Sequence, residues 1–350
     1  MSKSLFEFKP QKILVCQLRQ IGDVLLATPA VKLLAQKYPK AQIYFYTEKN
    51  CAPLLAYNPY LKQIITLDKT KLKNLWQEIK FYHSVAQKDF DLIIDFQQLP
   101  RIKWVVGLAK SKVKLSYTPP WYNRLLYTHY VQSYPGYAAY SKASILRLLG
   151  IKPQIIPPQI YLQAQELTWA QEYAHNHNLG NFFLTMDPTH RRPTRCWPAN
   201  YYAQLGKIIS QHYPHLKILL LYGPGEKKEV LSIYQQAPQV FILPEQMLSL
   251  RQMAALISLA KLHLGNCSAP RHIAVAVNTP SFVILGATSS AWTYPHPDHQ
   301  DVSLGLSCQP CNQNQCPHLS CLTQLTPDKV WEKLKPKLNN IILQTNSQLC

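Results

Sequence analysis

Four loops in this chain gather the residue types that handle protons and phosphate, and each follows an apolar run of strand length. In Arg19-Gln20-Ile21-Gly22-Asp23 a carboxylate stands where a strand, Lys12 to Leu18, gives way to a helix. Such a group either caps the helix by accepting backbone N–H bonds or serves as a general base in a cleft. The loop Asp187-Pro188-Thr189-His190-Arg191-Arg192-Pro193-Thr194-Arg195-Cys196-Trp197-Pro198 sets three arginines beside a helix start. That suits an anion such as a diphosphate, although three arginines can also form a solvated face. In Gly223-Pro224-Gly225-Glu226 the glycines permit close backbone approach and Glu226 can accept from ribose hydroxyls; a plain turn is the alternative. The fourth loop is Gly265-Asn266-Cys267-Ser268-Ala269-Pro270-Arg271-His272. A turn of small residues opening a helix near Pro270 makes a phosphate cradle from backbone N–H groups and the helix dipole, with His272 in the first helical turn.

The elements that must position these loops alternate between strand and helix. In the first half the apolar runs 43–46, 64–67, 92–96 and 113–115 follow the strand at 12–18, and a helix is predicted from Val24 to Tyr38. Prolines in Lys152-Pro153-Gln154-Ile155-Ile156-Pro157-Pro158 interrupt any regular element, and a second series follows at 182–185, 218–221, 240–243, 262–264 and 281–285. Alternation of this kind predicts parallel sheets covered on both faces, hence an α/β chain of two Rossmann-like, doubly wound domains, 1–155 and 156–350, facing a central cleft. In such sheets ligands bind beyond the carboxyl ends of the strands, where all four loops lie.

Composition sets the outer bounds. The chain has 350 residues, 47% hydrophobic and 11% aromatic, enough for two medium cores and unlike a disordered protein. It has no run of 18 apolar residues, and its start lacks the apolar segment of a signal peptide, so it is expected in the cytoplasm with its nine cysteines mostly reduced. Residues 1–165 hold 23 Lys and Arg against 8 Asp and Glu, a charge of +15; residues 166–350 hold 14 against 10, or +4. Residues 101–150 carry eight basic residues and no acidic one, interleaved with aromatics from Trp104 to Tyr140. Such a surface can meet RNA, an anionic membrane or a phosphorylated substrate, or be merely soluble.

Taken in order, the four loops resemble glycosyltransferase family 9, the heptosyltransferases of the bacterial lipopolysaccharide core. ILVCQLRQIGDVLLATPAV looks like the family's first strand, Gly-Asp loop and helix, and FDLIIDFQ like its YDLVIDLQ-type strand. RPTRCWP is similar to its Lys-Arg-Trp-Pro-type motif, and GNCSAPRHIAVAVNTP to its Gly-Asn-Asp-Ser/Thr-Gly-Pro-x-His motif. The resemblance implies a GT-B fold whose first domain binds the acceptor and whose second binds a nucleotide sugar, usually ADP-heptose. It implies one inverting displacement with Asp23 as base and needing no cofactor. Donor contacts are expected from Thr189, His190, Arg195, Glu226, Asn266, Cys267, Ser268, Ala269 and His272. The acceptor would be the lipopolysaccharide core or lipid A, met at the cytoplasmic face of an anionic inner membrane, and no nucleic acid is expected. Asp89-Phe90-Asp91 matches the DxD metal motif of other glycosyltransferases, but it leads into a strand and the resembled family is metal-independent.

Three positions depart from the family pattern: Cys267 stands for Asp, Arg195 for Lys and Ala269 for Gly. A neutral thiol accepts hydrogen bonds poorly, which opens a second reading, a non-catalytic relative that binds nucleotide sugar or lipopolysaccharide. Cys308, Cys311, Cys316 and Cys321 have the spacing C-x2-C-x4-C-x4-C, which suits a structural zinc or a loop of reduced thiols. A basic RNA-binding protein with a zinc ribbon leaves the ordered motifs unexplained. A nicotinamide enzyme is disfavoured because no G-x-G-x-x-G follows the first strand.

Overall fold

The computed structural model describes residues 5–347. The chain divides into two compact units, with the boundary between Tyr161 and Leu162, a few residues beyond the predicted linker. In the first unit the strands are β1 (Lys12–Cys16), β2 (Gln42–Glu48), β3 (Gln63–Leu67), β4 (Leu92–Asp95), β5 (Val113–Tyr117) and β6 (His129–Val131). Its helices are α1 (Ile21–Leu25), α2 (Thr28–Lys37), α3 (Leu75–Ala86), α4 (Pro100–Leu108) and α5 (Ala138–Ala143). The second unit has β7 (Phe183–Asp187), β8 (Lys217–Leu220), β9 (Phe241–Ile242), β10 (Leu262–Asn266), β11 (Ser281–Ile284) and β12 (His299–Val302). Its helices are α6 (Ala164–Asn176), α7 (Ala199–His212), α8 (Lys227–Gln236), α9 (Leu250–Leu259), α10 (Ala269–Ala276), α11 (Ser320–Thr323) and α12 (Pro327–Ser347).

Both sheets are parallel throughout, in the orders β3-β2-β1-β4-β5-β6 and β12-β11-β10-β7-β8-β9, so each unit carries the same winding. Parallel strands need both faces covered, and β1 shows how the sequence supplies this. Ile13 and Val15 enter a core with Val31, Leu34 and Leu146, while Leu14 and Cys16 enter a second core with Val85, Ile102 and Val105. Winding reverses between β1 and β4 and between β7 and β10, and loops at such points are where open α/β sheets bind ligands.

Two expectations are corrected. The helix predicted over 24–38 is two helices, α1 and α2, because the chain turns before Thr28-Pro29 and proline then occupies the first turn of α2. The edge strands β6 and β12 were missed; both are short and only partly buried, so they lack the continuous apolar run of the central strands. No helix among the described residues is long and apolar enough to cross a membrane.

Candidate active site

In the first unit Asp23 is the third residue of α1, whose N-cap is Gln20, so its carboxylate is not the cap. Its Oδ1 lies 3.1 Å from Lys142 Nζ on α5, and the same ammonium donates to Gln17 Oε1 at 3.0 Å. Gln17 is fully buried and donates through Nε2 to the Arg19 carbonyl at 2.8 Å, closing the loop on itself. Asp23 is therefore partly exposed and held by a cation 119 positions away in sequence, a partner the sequence reading did not find. Asp95, at the end of β4, is a fully buried acceptor for Tyr127 Oη at 2.6 Å and for the N–H groups of Gln97 and Gln98. Burial pushes its carboxyl pKa up, against those hydrogen bonds. Asp91 accepts from the N–H groups of Gln11 and Lys12 and ties down the start of β1.

In the second unit the loops after β7, β8 and β10 converge. Gly265 pairs with Asp187 across the sheet, and a Cβ on it would sit 2.7 Å from the Asp187 carbonyl, so only glycine lets these strands approach. The Asp187 carboxyl is buried and accepts from Ser268 Oγ. Its pKa is pushed up to about 7 by burial, with the Glu226 charge adding and the Ser268 hydrogen bond opposing. Ser268 is the N-cap of α10, yet its hydroxyl is spent on Asp187 and makes no cap hydrogen bond. The first turn of α10 thus receives no hydrogen bond from its N-cap side chain.

Thr189 Oγ1 donates to Glu226 Oε2 at 2.8 Å, and the Gly223 N–H donates to the same oxygen at 2.7 Å. His190 Nδ1 accepts from the Arg192 N–H at 2.9 Å. Burial lowers the His190 pKa to about 4, with Arg195 and Arg192 contributing, so its imidazole is neutral at physiological pH. Arg195 closes the 3-10 turn Pro193–Arg195, and its Nε is buried with no hydrogen-bond partner among the described residues. Burial and then Arg192 pull its pKa down, both signs of a cation short of an anion.

The side chains of the Gly-Asn-Cys-Ser turn have other duties. Asn266 is fully buried and its Oδ1 accepts from the Trp197 N–H at 2.9 Å, joining this turn to the arginine loop. Cys267 packs with Val283, Leu285 and Trp292, and its Sγ accepts from Arg271 Nη1 at 3.2 Å. Arg271 is itself 2% exposed; its Nη2 donates to Thr293 Oγ1, which in turn donates to Asp301. Arg271 lies in the first turn of α10, and Cys267, four residues earlier, precedes the N-cap, so the contact does not follow from helical spacing. His272 is 5% exposed, with its ring centroid 6.2 Å from that of Trp292.

Cys321 is buried at α11, whereas Cys308 is exposed and Cys311 and Cys316 are intermediate. Burial and then the neighbouring Cys308, Cys316 and Cys311 raise the Cys321 pKa, so the four thiols share a neighbourhood. Among the described residues no three His, Cys, Asp or Glu side chains are placed to hold a metal ion.

Comparison with known proteins agrees with this architecture. Residues 79–321 match the model of glycosyltransferase family 9 (heptosyltransferase). The chain is 27% identical over 290 residues to lipopolysaccharide heptosyltransferase 3 of Escherichia coli, covering 78% of this chain and 83% of that one. It is 23% identical over 333 residues to lipooligosaccharide heptosyltransferase 2 of Campylobacter jejuni, covering 91% and 96%. The solved structure of E. coli ADP-heptose lipopolysaccharide heptosyltransferase II superposes with a TM-score of 0.75 at 20% identity, covering 96% of this chain and 99% of that chain, a likeness of fold. With two parallel doubly wound units, the ordered motifs and a family match over most of its length, the chain belongs to glycosyltransferase family 9 (heptosyltransferase) and is a transferase enzyme.

Proposed function

We propose that this enzyme moves a heptose from ADP-heptose to the lipopolysaccharide core or lipid A acceptor, with the first unit binding the acceptor and the second the donor. The observation that carries the donor assignment is the buried Nε of Arg195, without a hydrogen-bond partner among the described residues, beside an α10 N-terminus that Ser268 does not cap, in the unit whose loops converge at the β7–β10 switch point. Both features suit a diphosphate. Donor contacts are assigned to Thr189, His190, Arg195, Glu226, Ala269 and His272; Asn266, Cys267 and Ser268 shape the turn and present its backbone.

Asp23 takes the proton from an acceptor hydroxyl. That oxygen forms the new bond to the anomeric carbon on the face opposite the diphosphate, and the bond from that carbon to the phosphate oxygen breaks with its electron pair leaving on ADP. The departing charge needs stabilisation more than a proton, which Arg195, His272 and the α10 N–H groups supply. Lys142 keeps the Asp23 carboxylate in place before the acceptor arrives.

The names of the relatives, the charge of +15 in residues 1–165 and the family membership support this reading and its setting on the cytoplasmic face of an anionic membrane. A structural zinc at Cys308, Cys311, Cys316 and Cys321 would require the 308–316 loop to draw its thiols together, and metal analysis of the purified protein decides it: one zinc per chain supports the site, none leaves four reduced thiols. The function itself is tested by incubating a panel of nucleotide sugars with truncated core acceptors and reading products by mass spectrometry. A heptose increment with ADP-heptose is expected. Binding of ADP-heptose without transfer to any acceptor would make the protein a non-catalytic relative.

A further inference from the structure

The segment with the strongest positive charge also carries the largest apolar side chains left in water. Trp121 is 79% exposed, Tyr122 65% and Leu125 101%, all on the 3-10 turn Trp121–Leu126, and Trp104 and Leu108 are exposed one turn apart on α4. These two surfaces adjoin, since α4 packs on the turn and a Cβ at Gly107 would lie 3.5 Å from Leu126. Beyond α4, Trp76 on the first turn of α3 is 81% exposed, and α3 is tied to α4 by the Arg101–Glu78 ion pair at 3.0 Å. Near them in sequence the exposed cations are Lys110, Lys112 and Arg124, and residues 101–150 contain no Asp or Glu.

Scattered exposed apolar residues are ordinary, but a contiguous ridge of tryptophan, tyrosine and leucine set among cations is not. Its composition selects the occupant. Protein interfaces are depleted in lysine at their cores, whereas indole and phenol rings flanked by Lys and Arg match the headgroup layer of an anionic bilayer. The 121–126 turn leaves the carboxyl end of β5 and runs back toward the start of β6, which brings Leu126 beside the last turn of α4.

We infer that the α4 face and the 121–126 turn insert into the interface of an anionic phospholipid membrane, with Trp121 and Leu125 as the deepest anchors and the surrounding Lys and Arg on the headgroups. The inference builds on the proposed membrane-borne acceptor and adds penetration to what charge alone would do.

The test uses the full chain with vesicles of phosphatidylethanolamine and phosphatidylglycerol, and with phosphatidylcholine vesicles as control. Cosedimentation measures partitioning, and quenching of tryptophan fluorescence by brominated lipid measures insertion. Trp121→Ala with Leu125→Ser is expected to lower partitioning about tenfold or more at both low and high salt, because the apolar contribution is not screened. Arg124→Gln with Lys110→Gln and Lys112→Gln is expected to lower it at low salt and little at high salt. Both variants alter exposed residues, circular dichroism checks their folding, and transfer to a water-soluble core oligosaccharide should be unchanged. Partitioning of Trp121→Ala/Leu125→Ser equal to wild type, or no quenching by brominated lipid, would overturn insertion while leaving electrostatic binding standing. A dimer in sedimentation that this variant converts to monomer would instead assign the ridge to a second copy, and tighter binding to RNA than to vesicles would assign it to nucleic acid. If wild type partitions and is quenched but transfers no heptose, the function above fails and the ridge stands.

Discussion

Replacing Asp187 with Asn removes a charge that the fold stores at a cost. The carboxyl is buried in the second unit, and burial, with Glu226 adding, pushes its pKa from the ordinary 3.8 to about 7. Because the folded-state value is the higher one, the unfolded chain gives up the proton first as pH rises. Below about pH 4 the group is protonated in both states and contributes nothing to pH dependence. Between about 4 and 7 stability falls by about 1.4 kcal/mol per pH unit, and above 7 the accumulated loss levels off at about 4 kcal/mol. An amide of the same shape still accepts from Ser268 Oγ and carries no charge to desolvate. Asp187→Asn is therefore expected to stabilise the second unit by up to about 4 kcal/mol at pH 8 and by almost nothing at pH near 4. Urea unfolding followed by tryptophan fluorescence measures it: Trp197 is fully buried in the second unit, while Trp76, Trp104 and Trp121 of the first are exposed and change little. A variant no more stable than wild type at pH 8, or a difference independent of pH, would refute the argument.

Asp23→Asn is expected to lower kcat by about 10²–10⁴-fold with ADP-heptose binding unchanged, measured by product formation and calorimetry; near-normal turnover would remove the base assignment. Lys142→Met, which frees Asp23 Oδ1 and Gln17 Oε1, should lower kcat about tenfold with little change in donor KM, and Lys142→Arg should recover part of it. Cys267→Asp places a carboxylate beside the buried Arg271 guanidinium and should stabilise the second unit while changing kcat/KM for ADP-heptose by less than about tenfold; a larger kinetic effect would put this side chain on the donor. Gly206→Ala drives a Cβ to 2.2 Å from the Phe241 ring and should destabilise the second unit by about 1–3 kcal/mol in denaturant titration.

The winding of the chain was legible because parallel strands covered on both faces leave apolar runs, as in β1, β4, β7 and β11. The edge strand β6 leaves no such trace: it has no fully buried residue, so nothing in its composition sets it apart from a loop. Loop chemistry was legible in kind but not in aim. The Ser268 turn does open a helix, yet whether Cys267 faces a ligand or a packed interior depends on Arg271 and Trp292, which only the fold brings around it. Likewise Asp187 reads in sequence as one more loop carboxylate. Its altered acidity follows from burial beneath Ser268, which no local pattern encodes.

The Asn266 amide, which accepts from the Trp197 N–H, has a consequence for how this enzyme can vary. Two stretches of sequence that look like separate signatures are one hydrogen-bonded object, and the placement of Arg195 depends on a residue 71 positions away. Substitutions at 195–197 and at 266 should therefore be epistatic: an exchange tolerated beside Asn266 fails beside Ala, and a chain that loses this amide also loses what made its arginine worth keeping. Drift can move either loop only in step with the other, so libraries built on this site should randomise the two together.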